Sequence, residues 1–419
     1  MIQRMSVRQW YSGVLSRPLE LIIGLSILAT AAAGGAIQHV ANISLSVLFL
    51  ASLVYIRSLP DAWRQLTSNE RLILLGFVMY VISAFLSFYN VSDEREYIKH
   101  LGKYARFLMI VPVYLLFSRS NLRLFPYLLA GAIIAGPVYL CATFLSIAEN
   151  PEHNAEGAYH HITFGDTAML AALLLITQLV ATKIGRVKII VIGISIICLL
   201  YASIMSQARG AWLALLIYVL LLLPIAVRQG KIKIRSVIIV FILFGSVLSL
   251  SPAKDIITSR IQLAVNELEL FQSGENHASS VGSRLAMWHI AVNTWVKHPL
   301  IGTGLGDFDL EIRDSVEQGL YKPIFEHSST HNIFFQALAT TGTIGFVTMC
   351  FALFILPFRL LYKREVGEEN VAGLSGMVVL IAFVVFGLTE SWILRAPVVS
   401  VYLIYIVTLM STSSREEIG

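Results

Sequence analysis

Arg209 is the sharpest isolated charge in the sequence, set in Met-Ser-Gln-Ala-Arg-Gly-Ala-Trp between two apolar runs. An ionisable group held that close to hydrocarbon is costly and marks a functional site by default. The plainer readings are a guanidinium that snorkels to the interface or one that pairs with an acid such as Glu390. Gly210, next to it, lets a ligand approach the backbone closely. Arg284 opens Arg284-Leu-Ala-Met-Trp288-His-Ile, the start of an amphipathic helix. Taken alone it reads equally as a solvated helix face with Trp288 as interfacial anchor. Two arginines facing a membrane boundary suit a pyrophosphate, because guanidinium forks bind phosphate oxygens in pairs and stay charged at any pH.

His327 and His331, in His327-Ser-Ser-Thr-His-Asn332, sit four residues apart just before an apolar run. A histidine there is suited to general-base work. On a helix the pair would share a face, so zinc is conceivable. There is no intervening glutamate as in HExxH and no clear third ligand, and a plain helix cap is the simpler alternative. Asp307-Phe-Asp309 has the spacing of a metal-binding DxD, which two acids often reach by chance. Gly302, Gly304 and Gly306 resemble a dinucleotide loop superficially, but no βαβ unit surrounds them, so a tight turn is expected. His153, His160 and His161 lie in an acidic stretch and read as a solvated loop or as substrate contacts.

The elements that must position these groups are membrane spans. The 419 residues are 56% hydrophobic and 14% charged, with mean hydropathy +0.74, whereas soluble domains carry about 25% charged residues. Apolar runs near the length needed to cross a bilayer recur throughout. We expect an all-α polytopic membrane protein with about twelve spans. They lie near 21–37, 41–54, 72–89, 104–117, 124–147, 164–181, 189–205, 211–227, 237–250, 333–358, 372–388 and 397–410. Residues 1–250 would hold the first nine and 331–419 the last three. Residues 251–330 form one long polar loop with short surface helices at 255–270 and 283–297. Cys141, Cys198 and Cys350 all fall in apolar runs and read as packing residues.

Charge counts on alternate sides set the orientation. With the N-terminus inside, 19 of the 31 lysines and arginines are cytoplasmic, while 18 of the 26 acids and all ten histidines lie outside or at that boundary. Both termini are therefore expected in the cytoplasm, with Met1 to Pro18 a basic lead-in and not a cleaved signal. The long loop and the candidate site are expected outside.

The stretches Ser206-Gln-Ala-Arg-Gly-Ala-Trp212, Gly282-Ser-Arg-Leu-Ala-Met-Trp288, Pro299…Gly302-x-Gly-x-Gly-x-Phe308 and His331-Asn-Ile-Phe-Phe-Gln336 resemble, in order, the O-antigen ligase/O-antigen polymerase superfamily of bacterial envelope glycosyltransferases. The N-terminal half is similar only in span count and topology. The resemblance implies a C-type glycosyltransferase (GT-C) architecture in the bacterial inner membrane with a large periplasmic loop. It implies that Arg209 and Arg284 hold the pyrophosphate of an undecaprenyl-linked O-antigen. His331 would activate a hydroxyl of lipid A–core, and transfer would invert the anomeric carbon. Gln207, His161, Trp288, His327, Asn332 and Arg395 are supporting candidates. No cofactor, metal or nucleic acid is implied. A ligase is preferred to a polymerase for the Gly-Ser-Arg-Leu-Ala-Met-Trp helix and for the place of His-Asn before the tenth span; the paired His327/His331 leaves open which is the base. The length stands against the longer protein O-oligosaccharyltransferases. A lipid-linked sugar transporter is the reading from another class, disfavoured because the charged candidates gather at one face and not at the midplane.

Overall fold

The structure is a computed structural model that describes residues 17–222, 280–321, 329–367 and 371–413, with a few isolated positions between 223 and 279. Every regular element among them is helical. In chain order these are α1 Arg17–Ala33, α2 Val40–Val54, α3 Leu59–Gln65, α4 Ser68–Leu86, α5 Glu94–Ala105, α6 Ile110–Arg119, α7 Leu124–Glu149, α8 His161–Ala181, α9 Arg186–Met205 and α10 Arg209–Ile217. After the less described stretch come α11 Ser280–Lys297, α12 Phe308–Glu317, α13 Ile333–Met349, α14 Leu356–Gly367, α15 Val371–Thr389 and α16 Ala396–Ser413. Seven helical stretches are long and apolar enough to cross a membrane, or eight if the pair α2–α3, bent by 69°, counts as one. The segments at 209–220 and 396–412 are shorter apolar helices. The expected span at 237–250, the surface helix at 255–270 and His327 lie outside the described residues. The expected surface helix at 283–297 is found as α11.

Two helices form the centre. Of the apolar window of α8, 89% is buried within the protein, and of α15, 78%, against 39% for α7. Small residues allow this, since apolar helices in lipid associate by close packing and not by hydrophobic exclusion. A Cβ on Gly165 of α8 would lie 2.0 Å from Ser206 Oγ, and one on Gly387 of α15 would lie 2.5 Å from the Ile333 side chain. α8 packs on α9, α10 and α15, and α10 packs on α15. The N-terminal ends of α8 and α10 and the C-terminal end of α15 thereby meet at one end of the bundle.

The polar stretch after α11 is bound to α13 by backbone. Gly342 breaks α13 with φ 63°. The carbonyls of Ala339 and Thr340 accept from the amides of Thr303 and Gly304, and the amides of Thr343 and Ile344 donate to the carbonyls of Pro299 and Leu300. A broken helix at such a place is tolerated because another protein segment satisfies its backbone. Gly302 has φ 72° and a Cβ there would come 2.4 Å from the Thr340 carbonyl carbon. The glycine series thus serves a close backbone approach, not nucleotide binding.

Candidate functional site

Where α8, α10, α11 and α15 meet, a cavity of about 170 Å³ is lined by Asn154, His161, Ile162, Gln207, Arg209, Gly210, Arg284 and Thr389. Four of the sequence candidates, His161, Gln207, Arg209 and Arg284, therefore share one small space. Arg209 is the first residue of α10, so that helix turns its N-terminal amide end, with its partial positive charge, toward the same place. Gln207 just before it has φ 56°, one of three non-glycine residues with positive φ among those described. Backbone held in that region costs energy and gathers at functional sites. His161 is fixed by its ring: Nδ1 lies 2.8 Å from the Ser206 carbonyl. A carbonyl only accepts, so Nδ1 carries the hydrogen. Asn154 Nδ2 lies 3.5 Å from the same nitrogen, too far to compete with that bond.

Beside the cavity, one residue past its lining Thr389, is Glu390. Its Oε2 is 3.0 Å from His331 Nδ1 and its Oε1 is 3.3 Å from Arg395 Nη2. Burial alone would raise the Glu390 carboxyl, but the hydrogen bond and charge of His331, with Arg395, outweigh it and hold it at about 2. The carboxylate is therefore ionised at neutral pH and accepts the Nδ1 hydrogen of His331. In the neutral ring the basic lone pair is then on Nε2. His331 itself has φ 49°. Asn332 secures that conformation: its Oδ1 caps α13 by accepting from the amides of Phe334 and Phe335 at 2.9 and 3.2 Å, and its Nδ2 donates to the Leu388 carbonyl. Trp288 ties the helix of Arg284 to the same turn, donating from Nε1 to the Thr330 carbonyl at 3.0 Å and stacking on Phe335. His160, next to His161, is pushed down to about 4 by burial first and then by repulsion from neighbouring cationic groups, Arg395 among them, although the residue is exposed.

The structure does not bring every sequence candidate into this site. Asp307 is buried and accepts from the amides of Ser92, at 2.5 Å, and Asp93, at 3.3 Å. Asp309 pairs with Arg313. Each of the two acids thus has a partner within the chain. No cluster of three or more metal-binding side chains occurs among the described residues. His153 is exposed and does not line the cavity, although Asn154 beside it does. Two acids had weak signals in the sequence. Glu390 was readable only as a possible arginine partner, because nothing in a single sequence links it to His331, 59 residues away. Asp166, one turn into α8, is buried with Oδ1 hydrogen-bonded to nothing among the described residues, 3.5 Å from where a Gly210 Cβ would stand.

These features define a helical membrane protein with a cationic cavity and a histidine–carboxylate pair at one end of its bundle. Residues 194–351 match the O-antigen ligase family. The match takes in Arg209, Arg284 and His331 and stops short of Glu390 and Arg395. An uncharacterised protein of Haemophilus influenzae is 24% identical over 310 residues, 73% of this chain and 75% of that protein. The ComP-specific O-oligosaccharyltransferase of Acinetobacter baylyi is 24% identical over 193 residues, 46% of this chain and 33% of that protein. The chain thus spans a third of the length of the relative whose activity is named.

Proposed function

We propose that this protein is an O-antigen ligase of the bacterial inner membrane, moving a glycan from undecaprenyl pyrophosphate to a hydroxyl of lipid A–core. The observation that carries the reading is the cavity in which Arg209 and Arg284 converge beside the His331–Glu390 pair. The arginines hold the pyrophosphate and stabilise the charge that grows on it, the task a divalent ion performs in other transferases. His331 Nε2 removes the proton of the acceptor hydroxyl, and Glu390 holds the ring in the tautomer that leaves Nε2 basic. The acceptor oxygen attacks the anomeric carbon from the side opposite the pyrophosphate, so configuration inverts. Because the donor is already activated, no nucleotide is consumed. His327 is a less favoured base. Gln207, Asn332, Trp288 and Arg395 position the groups that act. A GT-C-type arrangement of about twelve spans, termini in the cytoplasm, and residues 251–330 as a periplasmic lid belong to the same reading.

A polymerase would use the same donor and the same base, with a second lipid-linked glycan as acceptor. Reconstitution of the purified protein with labelled lipid-linked donor and lipid A–core separates the two. Label on lipid A–core supports the ligase; lengthening lipid-linked chains with no such label would replace it by the polymerase. Transfer to neither sinks both.

A further inference from the structure

His161 lines the cavity with the two arginines, and the mechanism above gives it no part. Its ring cannot turn away easily. Nδ1–H is committed to the Ser206 carbonyl at 2.8 Å, and Ser206 is itself held by its hydroxyl bond to the Ser203 carbonyl and by the close contact of Gly165. The ring also packs against His160, with centroids 4.2 Å apart and planes tilted by 40°. With Nδ1–H fixed, Nε2 is the nitrogen whose protonation changes the charge of the ring. A neutral His161 can offer an anion only a lone pair; a doubly protonated one offers a charged donor beside Arg209 and Arg284.

We propose that His161 is a third phosphate-contacting group, a catalytic cation that acquires its second proton when a diphosphate enters the cavity and donates from Nε2 to the departing oxygen. This rests on the donor reading above. Without a bound anion Arg209 and Arg284 oppose a further positive charge on His161, and Arg395 adds to that beyond Glu390. Asp166 on the same helix is buried and lies in electrostatic reach of Arg284 and Glu390, and Glu390 is already engaged by His331 and Arg395. A bound diphosphate reverses the balance, so binding takes up a proton. In the transfer step the bond from the anomeric carbon to the diphosphate oxygen breaks with its electron pair going to that oxygen. The acceptor oxygen bonds to the carbon, its proton passes to His331 Nε2, and His161 holds its own proton against the new negative charge. The two histidines thus work in opposite protonation states, one as base and one as cation.

The test uses the full chain in detergent with inorganic pyrophosphate as probe. Binding is followed by calorimetry in two buffers of different ionisation enthalpy, for wild type, His161→Gln and Arg209→Ala. The titration of the probe itself cancels in the comparison. At about pH 6 the His161→Gln protein should bind about ten-fold more weakly than wild type and take up fewer protons, as for a lost charge-assisted bond. By about pH 9, where the imidazole of the wild type is neutral, the two should converge. That convergence also shows the variant to be folded. Equal affinity and equal proton uptake at all pH values overturns the inference, and so does a deficit of the same size at every pH, which would make the role of His161 structural. If Arg209→Ala binds the probe as wild type does, the donor reading itself is wrong; if Arg209→Ala loses binding while His161→Gln does not, only the inference is.

Discussion

His331 Nδ1 and Glu390 Oε2, 59 positions apart in sequence, stand 3.0 Å apart and join the turn before α13 to the end of α15. The pair fixes which nitrogen of the imidazole is basic. Replacing Glu390 by Gln keeps the size but allows an amide N–H to donate to Nδ1, which moves the ring hydrogen to Nε2 and removes the base. Glu390→Gln should therefore lower kcat for glycan transfer by roughly a hundred-fold with little change in donor KM. Initial rates with a lipid-linked donor decide it: a raised KM with kcat intact rejects the orienting role.

The same pair predicts how stability depends on pH. The Glu390 carboxyl sits at about 2 in the folded protein against an ordinary value of 4.5. A depressed carboxylate contributes stability above its unfolded pKa and loses it as pH falls through the folded one. The midpoint of thermal unfolding should thus fall between pH 4.5 and 2 more steeply in the wild type than in Glu390→Gln. Parallel curves across that window would remove the electrostatic account of the pair.

Much of this site was legible in the sequence, and what was not has a physical reason. Arg209 stood out because a charge beside an apolar run is expensive wherever the chain folds, and that cost is local; Arg284 read alone as equally a solvated helix face. The bearing of Trp288 on the site was legible only as an interfacial anchor, since its bond to the Thr330 carbonyl spans 42 residues. Glu390 escaped because its significance lies in a contact between the ends of two helices. The fold itself follows the hydropathy pattern for α4, for α6 to α9 and for α13 and α15, while the charged stretch at 94–105 is helical too and runs on into the expected span at 104–117. The apolar run at 41–54 is less simple: the chain bends by 69° into α3, close to Pro60 near the start of that helix. The Asp307-Phe-Asp309 spacing was a weak signal for a different reason, because spacing cannot reveal that Asp307 accepts from the Ser92 and Asp93 amides.

Asp307 ties the glycine segment to the residues preceding α5, so its loss should appear in stability and not in metal dependence. Asp307→Ala leaves two amides without their acceptor, a change that costs about 1–3 kcal/mol for a buried group. The expected outcome is a lower unfolding midpoint, together with wild-type transfer rates that survive exhaustive EDTA treatment. Activity lost to EDTA and restored by Mg²⁺ or Mn²⁺ would return Asp307 and Asp309 to the chemistry.

Arg209 and Arg284 reach the cavity from separate elements, α10 and α11, and each supplies a charged fork. Alanine at either position should reduce kcat/KM for the donor by roughly thirty- to hundred-fold, the scale of a lost charge-assisted bond, while affinity for lipid A–core changes little. Separate titrations of donor and acceptor check this. A variant that loses acceptor affinity and keeps donor use would contradict the pyrophosphate role.

Gly210 offers the finest probe of the cavity, because it lines the space between Arg209 and the end of α15. A Cβ there would stand 2.3 Å from Thr389 Oγ1, with Asp166 Oδ1 at 3.5 Å. Thr389 donates its hydroxyl hydrogen to the Phe386 carbonyl at 3.2 Å, so it can yield only by giving up that bond or by moving the end of α15 and, with it, Glu390. Gly210→Ala keeps every charged group and disturbs their mutual geometry, and displacements of about 1 Å in a catalytic array can cost on the order of a hundred-fold in rate. The variant should fold, since its α10 gains a better helix former at a first-turn position, yet transfer glycan at least ten-fold more slowly. Gly210→Ala paired with Thr389→Ser, which removes a methyl but keeps the hydroxyl, should recover little, whereas Gly210→Ala with Thr389→Ala, which removes the clashing oxygen, should recover much of the rate. Full activity in Gly210→Ala alone would mean that the reacting groups do not assemble around this cavity.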